Sequence, residues 1–302
     1  MHKLLFACGV ALSLVLPSTA QNLAGDEALS KVLVADAGWQ EMGSGYGFTD
    51  AACGDAAGNF YFSDLSKSLV YRIAPDGAVT TFLDNGLKVS GLKFGPDGRL
   101  YAATQGPKKQ IVAITLPGKE ITVVADDVQP NDLIVSARGW IYYTDTGKGQ
   151  VKAVNIKGGA VTVAAEKLNA PNGIALSPDG GTLGVSEYRG SNVWTYRVKA
   201  DGTLDAGAPS MTLRTPVGKA ESAGDGMTVD AMGRWYVTSA VGVQMFDHTG
   251  RMGGVIARPQ NKGAVSCAFA GEGGRYLYVC NADKVFRRPT QAEAVRVKGD
   301  AR

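Results

Sequence analysis

Six oxygen-bearing side chains recur at one register of the chain, each eight residues before a turn glycine: Asp50, Ser90, Asn131, Asn172, Asp225 and Ser266. Carboxylate and amide oxygens are the ligands that hard cations such as Ca²⁺ take. Acidic side chains that meet without basic partners repel one another unless a cation is bound. This first ring therefore predicts a divalent-cation site, whereas its alternative is polar strand starts that hydrogen-bond the local backbone.

The elements that carry these residues are six repeats of a strand, a glycine turn and a second strand. The turn glycines are Gly58, Gly98, Gly139, Gly180, Gly233 and Gly274. They follow one another at 40 or 41 residues, except for one step of 53 that contains the polar stretch "KADGTLDAGAPS". Four short strands per unit of this length are typical of propeller blades. We predict an all-β fold, a six-bladed β-propeller with four-stranded blades, as a single domain over residues 21–302.

The inner strands of a propeller line the central channel and run in one direction, so their starts meet at one mouth. We expect the connection over residues 199–224 to lie above this mouth and to shape the pocket. The sixth repeat lacks a clear fourth strand, and an open ring would leave an unpaired edge. We expect the N-terminal "KVLVAD" (Lys31 to Asp36) to close it, with "AVRVK" near the C-terminus as the alternative.

A second ring stands where the next, antiparallel strand returns to the mouth: Asp64, Thr104, Asp145, Glu187 and Ser239. Of these, Asp145 and Glu187 are candidate substrate contacts. Propeller hairpins also often end in aspartates with a structural role, and both interpretations stay open here.

Composition and the N-terminus narrow the class of protein. The net charge of +3, from 31 basic and 28 acidic residues without long like-charge runs, indicates neither a nucleic-acid nor a membrane-surface partner. Residues 1–20 have the basic start, short apolar stretch and small-residue end of a signal peptide. We expect cleavage after Ala20 and a periplasmic or secreted protein with no membrane segment.

Three cysteines follow the predicted signal peptide: Cys53, Cys267 and Cys280. Cys267 and Cys280 flank the turn "GEGGR", so an oxidising compartment would allow them to form a disulfide. Free, buried thiols are the alternative.

Few other catalytic devices are available. His248 is the one histidine after the predicted signal peptide, and no G-x-S-x-G motif occurs, which argues against a serine triad or a histidine-rich zinc site. A cation beside carboxylates can polarise a carbonyl or phosphoryl oxygen and orient a water, with an aspartate as base. Hydrolysis of an ester-like bond is the reaction class that follows.

The chain resembles the senescence-marker protein/gluconolactonase/luciferin-regenerating-enzyme family of six-bladed propellers. The stretches that carry the resemblance include "PNDLIV", "PNGIALSPDG", "DGMTVDAMGRWYV" and "GVQMFDHTGRMGGVI". The resemblance implies a divalent cation, most often Ca²⁺, with Mg²⁺, Mn²⁺ and Zn²⁺ as alternatives. Its implied ligands are Asp50, Asn172 and Asp225, with Asn131 as a metal or substrate contact and Asp225 as the general base.

One departure from the family pattern concerns the first ligand. The family usually begins its first blade with Glu-Gly-Pro, whereas this chain has Asp50, Ala51 and Ala52, so the carboxylate reaches one methylene less far. Three functions stay open: a cation-dependent hydrolase of a sugar-type lactone, a non-catalytic exported binding or scaffold propeller with a structural ion, and a phosphotriesterase-like hydrolase. The lactonase is the interpretation that we favour, with a small molecule as its partner.

Overall fold

A computed structural model describes residues 28–295, and the predicted signal peptide lies outside this range. The described chain forms six four-stranded antiparallel sheets, as the repeats predicted. Two short 3₁₀ helices, Leu29–Lys31 and Glu272–Gly274, accompany the sheets. Between residues 28 and 295, no helix is long and apolar enough to cross a membrane.

The strands follow the chain blade by blade, from the channel outwards, after a first strand β1 (Gln40–Ser44) that belongs to the last blade. Blade 1 contains β2 (Thr49–Gly54), β3 (Phe60–Asp64), β4 (Leu69–Ile73) and β5 (Val79–Asp84). Blade 2 contains β6 (Val89–Phe94), β7 (Leu100–Thr104), β8 (Ile111–Ile114) and β9 (Ile121–Ala125). Blade 3 contains β10 (Leu133–Val135), β11 (Trp140–Asp145), β12 (Gln150–Asn155) and β13 (Thr162–Ala165).

Blade 4 contains β14 (Pro171–Leu176), β15 (Thr182–Glu187), β16 (Asn192–Arg197) and β17 (Ala208–Thr212). Blade 5 contains β18 (Met227–Val229), β19 (Trp235–Ser239), β20 (Gly242–Phe246) and β21 (Met252–Ile256). Blade 6 contains β22 (Ala264–Ala270), β23 (Tyr276–Asn281) and β24 (Lys284–Pro289), followed outwards by β1.

Burial separates the inner from the outer strands of a blade. Every residue of β3, β7, β19 and β22 is buried, because both faces of these strands pack against neighbouring blades. The outermost strands β5, β9 and β13 leave most of their residues exposed or half-buried. This difference explains why the first two strands of each repeat are recognisable as apolar runs, whereas the fourth is hard to identify from sequence.

The ring is closed by an N-terminal strand, but the segment predicted for this role is wrong. β1 pairs antiparallel with β24, with Gln40 opposite Arg287. The predicted closing segment, residues 31–36, lies nearer the N-terminus and makes a single bridge between Leu33 and Thr290. Its Val32 is fully buried in the core of blades 5 and 6. An outermost strand needs few apolar residues, so the more hydrophobic segment was the misleading one.

The prediction about the long connection also needs correction, and the structure decides between the two alternatives that the sequence left open for the cysteines. Residues 199–207 join β16 to β17 at the end opposite the mouth, where the Tyr142 hydroxyl donates to the Gly202 carbonyl at 2.6 Å. Only the second part of the long connection, after β17, returns to the mouth. Cys53, Cys267 and Cys280 are free and buried, so the structure contains no disulfide among them. In the β22–β23 ladder, Cys280 lies opposite Ser266 and Cys267 lies opposite Val279.

A ring of hydrogen bonds joins the blades near the mouth. In blades 3, 4 and 5 the residue before the second-ring position donates to a carbonyl at the inner-strand start of the next blade. The Thr144 hydroxyl donates to Asn172 (2.6 Å), that of Ser186 to Asp225 (2.8 Å) and that of Thr238 to Val265 (2.9 Å). In blade 1 the equivalent residue is Ser63, whose buried hydroxyl has no hydrogen-bond partner within residues 28–295.

Serine-to-alanine substitutions at two equivalent positions test this ring. Ser186→Ala removes the bond to Asp225 and leaves the Gly173 N–H, which donates to Ser186 at 2.9 Å, without its acceptor. We expect a loss of about 1–3 kcal/mol in the free energy of unfolding. Ser63→Ala removes a hydroxyl that bonds to nothing, so its effect is expected within about 0.5 kcal/mol. Urea unfolding of both variants measures this, and equal losses would contradict the blade-to-blade role.

Candidate functional site

The six first-ring residues lie together at one mouth of the channel. Direct contacts connect several of them across blade boundaries. The Ser90 hydroxyl donates to the Asn131 carbonyl at 2.6 Å, and the Ser266 hydroxyl accepts from the Ala52 N–H at 3.1 Å. The Cys280 thiol of blade 6 lies 3.6 Å from the Asp50 carbonyl of blade 1. Sequence register therefore located the mouth correctly.

Small residues directly after the first ring make this crowding possible. A Cβ on Gly173 would collide with the Asp225 carbonyl and lie 2.8 Å from the Gly226 Cα. A Cβ on Gly226 would lie 2.7 Å from the Ser266 hydroxyl. The glycines of "PNG" and "DG" therefore permit close approach of neighbouring blades, which positions the residues before them.

Two acids of the first ring face the same region of the channel. Burial, with a smaller contribution from the Asp132 carboxylate, raises the pKa of Asp50 to about 8. Burial also raises the pKa of Asp225 well above its ordinary value, with added repulsion from Asp50 and Asp132. Both side chains keep partial exposure, so a ligand at the mouth can reach them. Each accepts a backbone N–H from the next residue, at 2.8 Å for Asp50 and 3.0 Å for Asp225.

Asp132 is a third acid of this region that the sequence analysis missed. It is 8% exposed, and it occupies the position where blades 2, 4 and 5 have Gly91, Gly173 and Gly226. Burial raises its pKa to about 6, against the lowering effect of the Lys93 ammonium and of the Leu133 and Ile174 N–H groups. An aspartate at a register that otherwise requires a small residue was the sequence signal that could have identified it.

Lys93 is the second residue that the sequence analysis missed. It lies on the inner strand β6, and its ammonium donates to the Ala52 carbonyl of blade 1 at 3.0 Å. Its charge lowers the pKa of both Asp50 and Asp132. The premise that the acids meet without a basic partner is therefore wrong. The signal for it was a lysine inside the apolar run "SGLKF", on a strand that lines the channel.

The donors at this mouth suit a hard cation. Asp50 and Asp225 offer carboxylate oxygens, Asn131 and Asn172 offer amide oxygens, and repulsion between the acids would be relieved by positive charge. Within residues 28–295, no group of three or more histidine, cysteine, aspartate or glutamate side chains is arranged to hold a metal ion. A cation here therefore requires the asparagine amides in addition to the two carboxylates.

The second ring has the contacts of a structural feature. Asp64 accepts the backbone N–H groups of Gly47 (2.8 Å) and Phe48 (3.2 Å), which lead into blade 1. Asp145 is 1% exposed and pairs with the Lys152 ammonium at 2.8 Å. Glu187 accepts the Asn169 N–H, on the segment leading into blade 4, at 2.8 Å. These carboxylates bind their own blades, so the structure gives Asp145 and Glu187 a local partner and does not bring them to the acids of the first ring.

Thr104 and Ser239, the remaining second-ring residues, also bond locally, to the Gln110 carbonyl at 3.2 Å and the Gly242 carbonyl at 2.8 Å. Beside Thr104, the Gln105 amide donates to the Pro130 carbonyl of the neighbouring blade 3 and lies 3.4 Å from the Ser90 hydroxyl. Gln105 thus adds an amide to the rim next to Asn131, where the sequence analysis proposed no residue.

Other nucleophiles and bases do not serve this mouth. Burial raises the pKa of the Cys53 thiol to about 11 and that of Cys267 to about 12, so both stay protonated. His248 lies in the β20–β21 turn, at the opposite end of the propeller, where it lines a groove of about 520 Å³. The carboxylates are therefore the bases at the mouth.

Comparisons with known proteins agree with this fold. The model of the SMP-30/gluconolactonase/LRE-like region matches residues 48–283. A gluconolactonase of Zymomonas mobilis is 28% identical over 272 residues, which span 78% of this chain and 76% of that protein.

Two solved structures share the architecture. A gluconolactonase from Xanthomonas campestris superposes with a TM-score of 0.75 at 22% identity, over 88% of this chain and 94% of its own. A calcium-binding protein from Agrobacterium tumefaciens, regucalcin, superposes with a TM-score of 0.68 at 16% identity, over 85% and 96%. The family model spans residues 48–283, from the start of blade 1 into blade 6, and so covers most of the chain. The chain therefore belongs to the SMP-30/gluconolactonase/LRE-like family.

Proposed function

We propose that this protein is a divalent-cation-dependent hydrolase that opens a lactone, with a sugar-derived lactone as its substrate class. The observation that carries the proposal is the meeting of Asp50 and Asp225 with the Asn131 and Asn172 positions at one mouth, where burial and neighbouring carboxylates raise the pKa of both acids. Membership of the family and the similarity to a gluconolactonase support the reaction class. The calcium-binding relative supports Ca²⁺ as the cation.

In this proposal Asp50, Asn172 and Asp225 hold the cation, and Asn131 contacts the substrate. The cation, when bound, polarises the lactone carbonyl and acidifies a water. The Gly226 N–H fixes Oδ1 of Asp225 at 3.0 Å, which leaves Oδ2 as the proton acceptor. Asp225 takes a proton from the attacking water while the water oxygen bonds to the acyl carbon. The ring C–O bond then breaks, and Asp225 returns the proton to the leaving alkoxide, which gives the hydroxy acid.

The raised pKa of Asp225 suits this role, since a carboxylate with a raised pKa is a stronger base towards the attacking water. The shorter Asp50 in place of the family glutamate keeps the charge of the ligand set. We further propose that the protein acts after export, because residues 1–20 have the pattern of a signal peptide.

Lactone turnover with and without the cation tests the proposal. Protein stripped with chelator is assayed by proton release on aldonolactones, simple γ-lactones and a phosphotriester, and then resupplied with Ca²⁺, Mg²⁺, Mn²⁺ or Zn²⁺. We expect lactone turnover that disappears on stripping and returns with Ca²⁺. Turnover of the phosphotriester alone would favour a phosphotriesterase-like hydrolase. No turnover of any substrate with any ion would favour the non-catalytic propeller.

Substitutions assign the roles within the site. We expect Asp225→Asn, which keeps the shape but removes the base, to lower kcat by about 10²-fold or more. Asn172→Ala is expected to abolish both cation binding, measured by calorimetry, and turnover. Asp76→Asn is the matched control, because Asp76 is exposed and lies in the β4–β5 turn at the opposite end. Wild-type rates in both site variants would show that the reaction occurs elsewhere.

The raised pKa of Asp50 predicts a pH dependence of stability in chelator. Its unfolded value is about 3.9 and its folded value is about 8, so between these the folded state binds more protons. Its contribution is therefore fully present below about pH 3.9 and is lost as the pH rises from there through about 8. We expect the Tm of Asp50→Asn to exceed that of wild type at pH 9 by at least about 2–4 °C more than at pH 5.

Excess Ca²⁺ is expected to raise the Tm of the wild type at pH 9 by mass action and to leave Asp50→Asn unchanged. Scanning calorimetry at both pH values, with and without Ca²⁺, measures all four conditions. A Tm difference in chelator that is the same at pH 5 and pH 9 would contradict the raised pKa.

A further inference from the structure

Lys93 lies in the wall of the channel, and its ammonium is hydrogen-bonded to protein. It is half-buried on β6, and its ammonium donates to the carbonyl of Ala52, two residues after Asp50. The bond crosses from blade 2 to blade 1, at the blade boundary where Ser63 makes no hydrogen bond. Lys93 therefore joins blades 1 and 2, at a boundary where the Ser63 hydroxyl makes no hydrogen bond.

Asp132 lies against the same strand. Its Oδ1 is 2.8 Å from the place that a Cβ on Gly91 would occupy. Residues two apart on a strand share a face, so the Asp132 carboxylate and the Lys93 side chain lie on one side of β6. A substitution of Gly91 would fill the space that Asp132 takes, which shows that this carboxylate is packed into place rather than free to turn outward.

The charges at the mouth then balance in a specific way. Asp50, Asp132 and Asp225 contribute three negative charges when ionised, and Lys93 contributes one positive charge. The charges of Lys93 and Asp132 sum to zero. The charges of the two acids that remain match that of one divalent cation. Without the ammonium, the same cavity would have the charge to match a trivalent cation.

We infer that Lys93 determines the charge selectivity of the cation site, by neutralising Asp132 and holding the Asp50 segment, so that the mouth prefers divalent to trivalent cations. This inference rests on the proposed function, since it assumes that a cation binds there. Lys93 acts as a positioning and selectivity residue in this scheme and need not touch the ion or the substrate.

Calorimetric titration with Ca²⁺ and with Tb³⁺ tests the inference on the full chain stripped with chelator. We expect Lys93→Met to bind Tb³⁺ more tightly relative to Ca²⁺ than the wild type does, by about tenfold or more in the ratio of Kd values. Lys93→Gln, which keeps a donor for the Ala52 carbonyl but no charge, is expected to show the same change and guards against a folding defect. Lys157→Met, at an exposed turn position, is the matched control and should leave the ratio unchanged.

A double variant separates charge from structure. Adding Asp132→Asn to Lys93→Met removes one negative charge for the positive charge lost, so the ratio should return to the wild-type value. A merely structural lysine would not be rescued in this way. A ratio unchanged in Lys93→Met, or one that stays altered in the double variant, would overturn the inference while leaving a Ca²⁺-dependent lactonase intact. Absence of Ca²⁺ and Tb³⁺ binding in all variants would overturn the inference and the proposed cation site together.

Discussion

Closure of the propeller brings six strand entries into one narrow opening, and most of the other features depend on this constraint. The inner part of the blades is buried against neighbouring blades, so the residue directly after the first ring is small in every blade except blade 3, where it is Asp132. Gly173 and Gly226 meet this requirement because a Cβ at either would collide with the next blade. The backbone then brings Asn172 and Asp225 to the channel without contributing bulk of its own.

The same crowding creates the electrostatic character of the site. Burial raises the pKa of Asp50 and Asp225, and nearby carboxylates from blades 1 and 3 add to it, a cost that a structural role alone does not explain. Lys93 offsets part of it. The second ring shows the contrasting arrangement, in which Asp64 and Glu187 lie one strand away and are satisfied by backbone N–H groups and so stabilise the entry of each blade. Chemically similar carboxylates thus have raised pKa values at the mouth in the first ring and local hydrogen-bond partners in the second.

Register predicted more of the structure than hydrophobicity did. The six turn glycines all adopt positive φ, and counting back from them located Asp50, Asn172 and Asp225 at the mouth. Hydrophobicity misled at the closing strand, because β1 is an exposed outer strand and its sequence "QEMGS" is mostly polar. Hydrophobicity also could not show which part of the 199–224 connection lies at the mouth, since this depends on the direction of the strands on either side of each part.

The sequence by itself determined the number of blades, the register of the first ring and the membership of the family, because these depend on repeats and local turn chemistry. Tertiary structure decided that Asp132 and Lys93 join the acids, since these residues of blades 3 and 2 approach Asp50 and Asp225 only in the folded propeller. It also decided that the three cysteines stay free, because ladder register, which spacing around a turn does not specify, sets Cys280 opposite Ser266 rather than Cys267.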